Sequence, residues 1–326
     1  MNAYNFIHWD DLDVERQMAL STSPLLKKIN NHYFRNVHSQ SYYREYLGDD
    51  NRNRTIIVRR QETPILALTR LCKANEINFA GQPSEIISVV DKNESRMATV
   101  EMISHLKKMS NNVRFSGAIN NNSIVIKELA AFIISINHSY HGYVDLRLPR
   151  EIYKKVLRKS YKSLINWGER NFSIRLVDQN ARDLSEFKAF QNLHLRASGK
   201  STRSEATWLK QFDTISAGFG FLINAYYNDK IVGGCYIMND QKQAFYAVAA
   251  GNRDLMGQNI PVNHFPLYHA IRHCQNLGLT KFNFGNVSTD QTDNKKLKNI
   301  NQFKRGFCTD ISIRHSINFS FGQNTQ

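Results

Sequence analysis

The sequence predicts an α+β chain made of two similar halves, each a mixed, mostly antiparallel sheet flanked by helices. Three observations carry that expectation. The 326 residues correspond to about two domains, at roughly 150 residues each. Each half shows a meander of short apolar runs broken by turn residues, then a helical run, then a further strand. Hydrophobic residues at 41% and charged residues at 22% suit packed domains and exclude a disordered chain.

In the first half a polar run at 48–54 precedes two strands, Thr55 to Arg60 and Ile65 to Leu71, around the turn Gln61 to Pro64. Glu76 to Ala80 reads as a third strand, closed by Gly81-Gln82-Pro83. A helix is expected from Glu94 to Met109, where Val100, Ile103 and Leu106 recur at helical spacing. Val113 to Ala118 and Ser123 to Ile126 read as strands, and Ala131 to Asn137 is a short apolar run of either type. Pro149 to Asn171 reads as one long helix with the stripe Ile152, Val156, Leu164 and Trp167. The halves are therefore divided as 1–147 and 148–326.

The second half is clearer. Strands are expected at Phe219 to Tyr227, Ile231 to Met238 and Gln243 to Ala250, joined by short polar turns. A helix from Phe265 to Asn276 follows, with Leu267, Ile271, Cys274 and Leu277 apolar, Pro266 in its first turn and Gly278 as its stop. Lys281 to Gly285 reads as a strand and Asp293 to Lys304 as a short helix capped by Asp293. From Ile311 to Phe321 apolar residues alternate with period two, as in a half-buried strand.

Forty-three Lys and Arg against 28 Asp and Glu give a net charge of +15, which points to an anionic partner: nucleic acid, a membrane surface or phosphorylated ligands. No uninterrupted apolar stretch of about 18 residues exists, so no spanning helix is expected. Met1 to Arg16 carries Asp10, Asp11, Asp13 and Glu15 and no apolar segment, unlike a secretory signal. Cys72, Cys235, Cys274 and Cys308 are far apart and match neither zinc-ligand spacing nor a disulfide framework. A cytoplasmic, reducing location is expected, with peripheral contact to the inner membrane surface as a further expectation. His138 and His141 stand three apart without a third ligand, so no metal is expected. No Ser-His-Asp or Cys-His signature is present.

Four ordered stretches carry a resemblance. They are Val144-Asp145-Leu146 with Tyr153 to Ser160; Leu193-His194 with Gly199, Arg203 and Trp208; Ala244 to Ala250 with Pro261 and Leu267 to Ile271; and Gly278 to Gly285 with Ile300 to Phe307. In this order the sequence resembles the Fem-like branch of the GNAT acyltransferases. That branch includes aminoacyltransferases of peptidoglycan bridges and acetyltransferase-like proteins of surface-polysaccharide pathways. The resemblance implies tandem GNAT-like domains and an N-acyltransferase. Acetyl-CoA or another acyl-CoA is the implied donor, with aminoacyl-tRNA as the alternative. The implied acceptor is an amine on a nucleotide-linked or lipid-linked sugar in surface polysaccharide or envelope synthesis. Two departures stand out. Asn283 replaces the acid of the group's Phe-Asp-Phe-Gly strand, and Arg253 to Pro261 replaces a glycine-rich pyrophosphate loop. The helical arm of the tRNA-dependent bridge enzymes is also missing, as no sustained heptads occur.

Acyl transfer to an amine needs an anchored donor, a neutral amine and hydrogen-bond donors for the tetrahedral oxyanion. Asn263 and His264, at the expected start of a helix, with Arg253 near in sequence, are the candidate donor anchor. The competing reading is plain capping. Tyr246, on the central strand, could protonate a leaving thiolate or could simply pack in the core. The resemblance gives Lys304 a contact to an anionic substrate group such as a diphosphate, with Arg305 beside it, against a solvated face like Lys295, Lys296 and Lys298. Tyr246, Lys304 and His264 are therefore the candidate catalytic residues. Arg305, Arg203, Trp208 and Asn283 join Lys304 as candidate substrate contacts. His194 reads as a buried, hydrogen-bonded histidine rather than a base. Arg196 could equally be a surface residue. A non-catalytic RNA-binding protein is the alternative of another class, and no RRM-type signature supports it.

Overall fold

The computed structural model describes residues 4–73, 76–82, 84–109, 112–117, 123–288 and 294–320. The chain divides into two compact units. One holds the chain to Asn31, Arg35–Ser139 and the chain from Ile313; the other holds His32–Phe34 and Tyr140–Ser312. The last strand thus begins in the second unit and ends in the first, because its apolar Ile317 and Phe319 fill the first unit's core.

The first unit runs β1 (Tyr4–His8), α1 (Val14–Ser21), α2 (Pro24–Asn30), α3 (Val37–Leu47), β2 (Arg52–Asn53), β3 (Ile56–Arg60), β4 (Thr63–Leu68), β5 (Leu71–Cys72), β6 (Ile86–Ser88), α4 (Lys92–Met109), β7 (Asn112–Gly117), α5 (Ser123–Leu129) and the start of β8 (Ile133–Asp145). Its antiparallel sheet has the order β1-β3-β4-β6. The strand period of two divides the apolar residues between two layers. Ile56 and Val58 meet Ala98, Met102, Ile103 and Leu106 of α4. Ile57, between them, meets Leu25, Leu26 and Ile29 of α2.

Two expectations change here. Ser123 to Ile126 is helical, because Val125 and Leu129, one turn apart, both enter the α4 core. Glu76 to Ala80 forms no strand; Phe79 makes only isolated bridges to Leu71 and Gln82. The Glu76 carbonyl instead accepts from Arg70 Nη2 at 2.6 Å and Cys72 Sγ at 3.0 Å.

The second unit continues through α6 (Arg150–Val156), α7 (Lys159–Asn171), β9 (Ser173–Val177), α8 (Leu184–Ser198), α9 (Glu205–Ser216), β10 (Gly220–Tyr227), β11 (Lys230–Asn239), β12 (Gln243–Gly251), α10 (Arg253–Gly257), α11 (His264–Asn276), β13 (Lys281–Asn286), α12 (Lys295–Arg305) and β14 (Asp310–Ser320). Its strands follow the order β8-β13-β12-β11-β10-β9, antiparallel except for the β12–β13 pair. Alternation again builds two cores. Phe221, Ile223, Cys235 and Ile237 face α7 and α11, while Leu222, Tyr236 and Met238 face α8 and α9.

The long helix expected at 149–171 is broken. Leu157 and Arg158 take extended backbone angles, which lets the Arg158 N–H reach the Gly306 carbonyl at 3.0 Å. The expected cap Asp293 lies outside the described residues. Asn294 caps α12, its Oδ1 accepting from the Lys296 and Leu297 N–H groups at 3.0 and 3.2 Å.

One polar cluster is held under α8. The buried Glu186 carboxylate accepts from Tyr226 Oη at 2.7 Å and Asn224 Nδ2 at 3.1 Å, and pairs with Arg175 at 2.5 Å. Burial acts to raise its pKa; these three donors outweigh that and bring it below the usual carboxylate value.

Glycines set how close α11 comes to the sheet. A Cβ at Gly233 would collide with the Val262 carbonyl, and one at Gly251 with the Asn263 amide at 2.5 Å. Gly233→Ala is expected to lower stability by about 1–3 kcal/mol, because a rigid backbone atom must move. Gly257→Ala, with nothing within 4 Å, is expected to leave stability unchanged or slightly raised. Urea unfolding of both variants checks this.

Candidate functional site

The parallel pairing of β12 with β13 covers only Gln243↔Lys281, Ala244↔Phe282 and Phe245↔Asn283. Beyond Phe245 the two strands part while each continues, β12 to Gly251 and β13 to Asn286. Two local devices sit at the fork. Asn283 Oδ1 accepts the Gly285 N–H at 2.8 Å, and Gly285 adopts φ +69°, which a side chain would disfavour. On β12 the register against β11 shifts between Tyr236↔Val248 and Ile237↔Tyr246. Ala247 is therefore the extra residue of a bulge, a feature that re-aims neighbouring groups.

Around the fork lies an aromatic cluster. Tyr246 meets Phe284 edge-on at 5.6 Å between ring centres. Phe284 approaches Phe307 at 6.3 Å, and His264 approaches Tyr161, Phe303 and Phe307 at 4.7, 5.1 and 6.3 Å. Burial raises the Tyr246 phenol well above its ordinary value, so it stays protonated at neutral pH. Burial pushes the His264 imidazole down to about 4, against a weaker opposing effect of the Pro261 carbonyl. His264 is thus neutral at pH 7 and packs as an aromatic.

Lys304, near the end of α12, extends its Nζ to 3.5 Å from the Asn286 carbonyl at the tip of β13. Burial lowers its pKa, and Cys308 opposes that shift. The Cys308 thiol, pushed up to about 12 by burial, is not a thiolate at neutral pH. Arg305 beside Lys304 is exposed.

Tyr246 and His264 therefore touch one aromatic cluster, and Lys304 follows Phe303, a member of that cluster, on α12. The other candidates fall elsewhere. Arg253 is exposed on α10, a short helix whose cap is Asn252. Asn263 precedes α11 without capping it; its Nδ2 lies 3.8 Å from Met256 Sδ. The His264 N–H is already bonded to the Pro261 carbonyl at 3.2 Å, and Pro266 has none to offer, so this helix start is a poor cradle for phosphate.

Arg203 and Trp208 belong to the α8–α9 layer. Trp208 is 4% exposed and packs on Phe187 and Phe190, with the Arg203 guanidinium 4.6 Å from its ring centre. A ring so covered cannot offer a face for stacking on a sugar or base. His194 touches the same indole at 5.3 Å; burial lowers its pKa first, then Arg203 and Lys296. Arg196 is exposed on α8.

His138 and His141 lie on opposite faces of β8. Among the described residues no group of three or more His, Cys, Asp or Glu could hold a metal ion, and no helix is long and apolar enough to cross a membrane. Sequence reasoning missed the Ala247 bulge and the role of the Asn286 carbonyl. Only the Asn283-x-Gly285 spacing hinted at a local turn in β13.

No family model and no curated protein matches the chain. Solved structures do. FemX superposes with a TM-score of 0.63 at 10% identity, covering 96% of this chain and 96% of that one. A conserved protein of unknown function from Bacteroides thetaiotaomicron gives 0.59 at 9% identity, covering 95% and 98%. The C-terminal domain of a putative lysylphosphatidylglycerol synthetase from Agrobacterium fabrum gives 0.52 at 12% identity, covering 78% and 80%. The chain shares the α+β fold of FemX, built in two units. At these identities the likeness is one of fold.

The His264 environment has a consequence for stability. Its folded value of about 4 lies below the ordinary 6.5, so the folded chain binds fewer protons than the unfolded one between these values. Stability contributed by neutral His264 is complete above pH 6.5 and is lost as pH falls toward 4. At roughly 1.4 kcal/mol per unit, the loss reaches at most about 3.5 kcal/mol. His264→Phe is expected to flatten this part of the stability profile, as measured by denaturation between those pH values.

Proposed function

We propose that the second unit is an N-acyltransferase acting on an amine of a nucleotide-linked or lipid-linked sugar in envelope or surface-glycan synthesis. The observation that supports it best is the fork. Past Phe245, β12 has no strand neighbour on its β13 side among the described residues, and its bulge at Ala247 lies within that stretch. Backbone groups there are available to an acyl carbonyl, and N–H donors so placed stabilise a tetrahedral oxyanion.

The chemistry balances simply. The neutral amine attacks the acyl carbon, and the bond from that carbon to the donor's sulfur breaks. The Tyr246 phenol stays protonated and donates a hydrogen bond to the leaving thiolate, and the proton that the amine loses passes by way of water to that sulfur. Lys304 meets an anionic group of the acceptor as a point charge, with Arg305 as its neighbour. His264 holds the start of α11 against the aromatic cluster. Asn283 shapes the fork through Gly285. Much of the catalytic gain comes from positioning.

Acetyl-CoA is the simplest donor. The start of α11, where the His264 backbone N–H is already bonded to the Pro261 carbonyl, and the charge of +15 favour a second reading, in which the donor is an aminoacyl-tRNA. FemX and the synthetase domain, similar in fold, are consistent with either donor.

Incubation with acetyl-CoA and a panel of amino-sugar nucleotides and amine-bearing envelope precursors is expected to release thiol. Consumption of radiolabelled aminoacyl-tRNA with no thiol release would select the second donor. Turnover with neither donor would refute acyl transfer. Lys304→Ala is expected to fold normally, by circular dichroism, and to lose at least about tenfold in kcat/KM, one tenfold being about 1.4 kcal/mol of transition-state binding. Tyr246→Phe, which keeps the packing and removes the proton, is expected to lose about 100-fold in kcat with little change in KM.

A further inference from the structure

The pair α6 and α7 turns a mixed apolar and cationic surface outward. Ile152 and Val156 are 42% and 44% exposed and stand one helical turn apart, with exposed Lys155 between them. Past the Leu157–Arg158 break, Arg158, Lys159 and Lys162 are exposed as well. From Arg147 to Arg175 nine Lys and Arg face two acids, Glu151 and Glu169. Glu169 is already engaged with Arg150 at 3.7 Å.

The opposite side of the pair is fixed. Tyr153 is fully buried, stacks near Tyr268 at 6.2 Å and donates to the Phe307 carbonyl at 3.1 Å. Tyr161 donates to the Phe303 carbonyl at 3.3 Å. Lys155, Lys159 and Lys162 are thus left exposed on a mount that the core holds, while the Arg158 guanidinium leans over the Tyr161 ring at 5.7 Å.

We infer that this surface docks on a membrane face rich in anionic lipid headgroups. Lys155, Lys159, Lys162 and Arg158 meet the lipid phosphates, and Ile152 and Val156 enter the headgroup layer. Nucleic acid would satisfy the cations equally. Its backbone gives two aliphatic side chains nothing apolar to bury against, and their place among the cations favours lipid. The surface also adjoins the candidate site, since the Arg158 N–H is bonded to Gly306, one residue past Arg305. Docking would therefore bring Lys304 and Arg305 toward a lipid-linked acceptor. That consequence rests on the transferase reading; the docking itself does not.

The test is co-sedimentation of the full chain with vesicles of phosphatidylcholine alone and of phosphatidylcholine mixed with phosphatidylglycerol. Binding is expected to the mixed vesicles only, and to weaken with added salt. Lys155→Glu/Lys159→Glu/Lys162→Glu is expected to reduce the partition coefficient by more than about tenfold. Ile152→Ser/Val156→Ser is expected to reduce it several-fold. Both variants should keep the wild-type circular dichroism and, with a water-soluble acceptor, the wild-type turnover. Absence of vesicle binding, equal binding to neutral vesicles, or full binding by the serine variant would overturn the inference. So would binding of tRNA through these lysines without any binding to vesicles. Vesicle binding without turnover on any donor would leave docking standing and remove the transferase reading; turnover without vesicle binding would do the reverse.

Discussion

The second unit depends on one constraint: β12 and β13 must pair and then part. Parallel neighbours normally share a full ladder, and a backbone group left buried without a partner costs about 1–3 kcal/mol. Three pairs hold the strands together at Phe245 and Asn283; after that each strand follows a different neighbour. β12 keeps β11 as its partner, and β13 keeps β8. The opening between them is thus bounded by strands that remain hydrogen-bonded on their outer sides. Each strand keeps its outer partner, so the two do not continue as one ladder.

Everything around the gap serves to hold it. Asn283 gives its side-chain oxygen to Gly285, so the bend in β13 is fixed by a hydrogen bond rather than by packing alone. Gly233 and Gly251 let α11 come down onto β11 and β12, which sets His264 among Tyr161, Phe303 and Phe307. Gly306 meets the Tyr161 ring just as closely, so α7 and the end of α12 are fixed against each other. Lys304 inherits its position from that contact.

Electrostatics and packing divide the candidate residues. Burial keeps Tyr246 protonated, and it lowers the pKa of Lys304 against the opposing effect of Cys308. His264, driven neutral by the same burial, suits packing. Arg203 and Trp208 form a stacked pair in a different layer. The positive charge is spread over separate surfaces, with the α6–α7 face as one concentration.

The sequence by itself determined most of the elements and the fold class. Period two in β10 to β12, the turn residues between them, and Pro266 and Gly278 around α11 are local signals, so they were legible. So was the order of motifs. What it could not determine depends on distant partners. The helix at 149–171 breaks because Gly306 offers a carbonyl to Arg158, and no residue within the segment encodes that. Ser123 to Leu129 is helical because α4 supplies an apolar surface at helical spacing. The bulge at Ala247 exists only relative to β11. The neutrality of His264 comes from side chains on α7 and α12 that remove water from it. Local periodicity fixed the elements; tertiary structure decided where strands stop pairing, which polar groups lose water, and so which candidates meet.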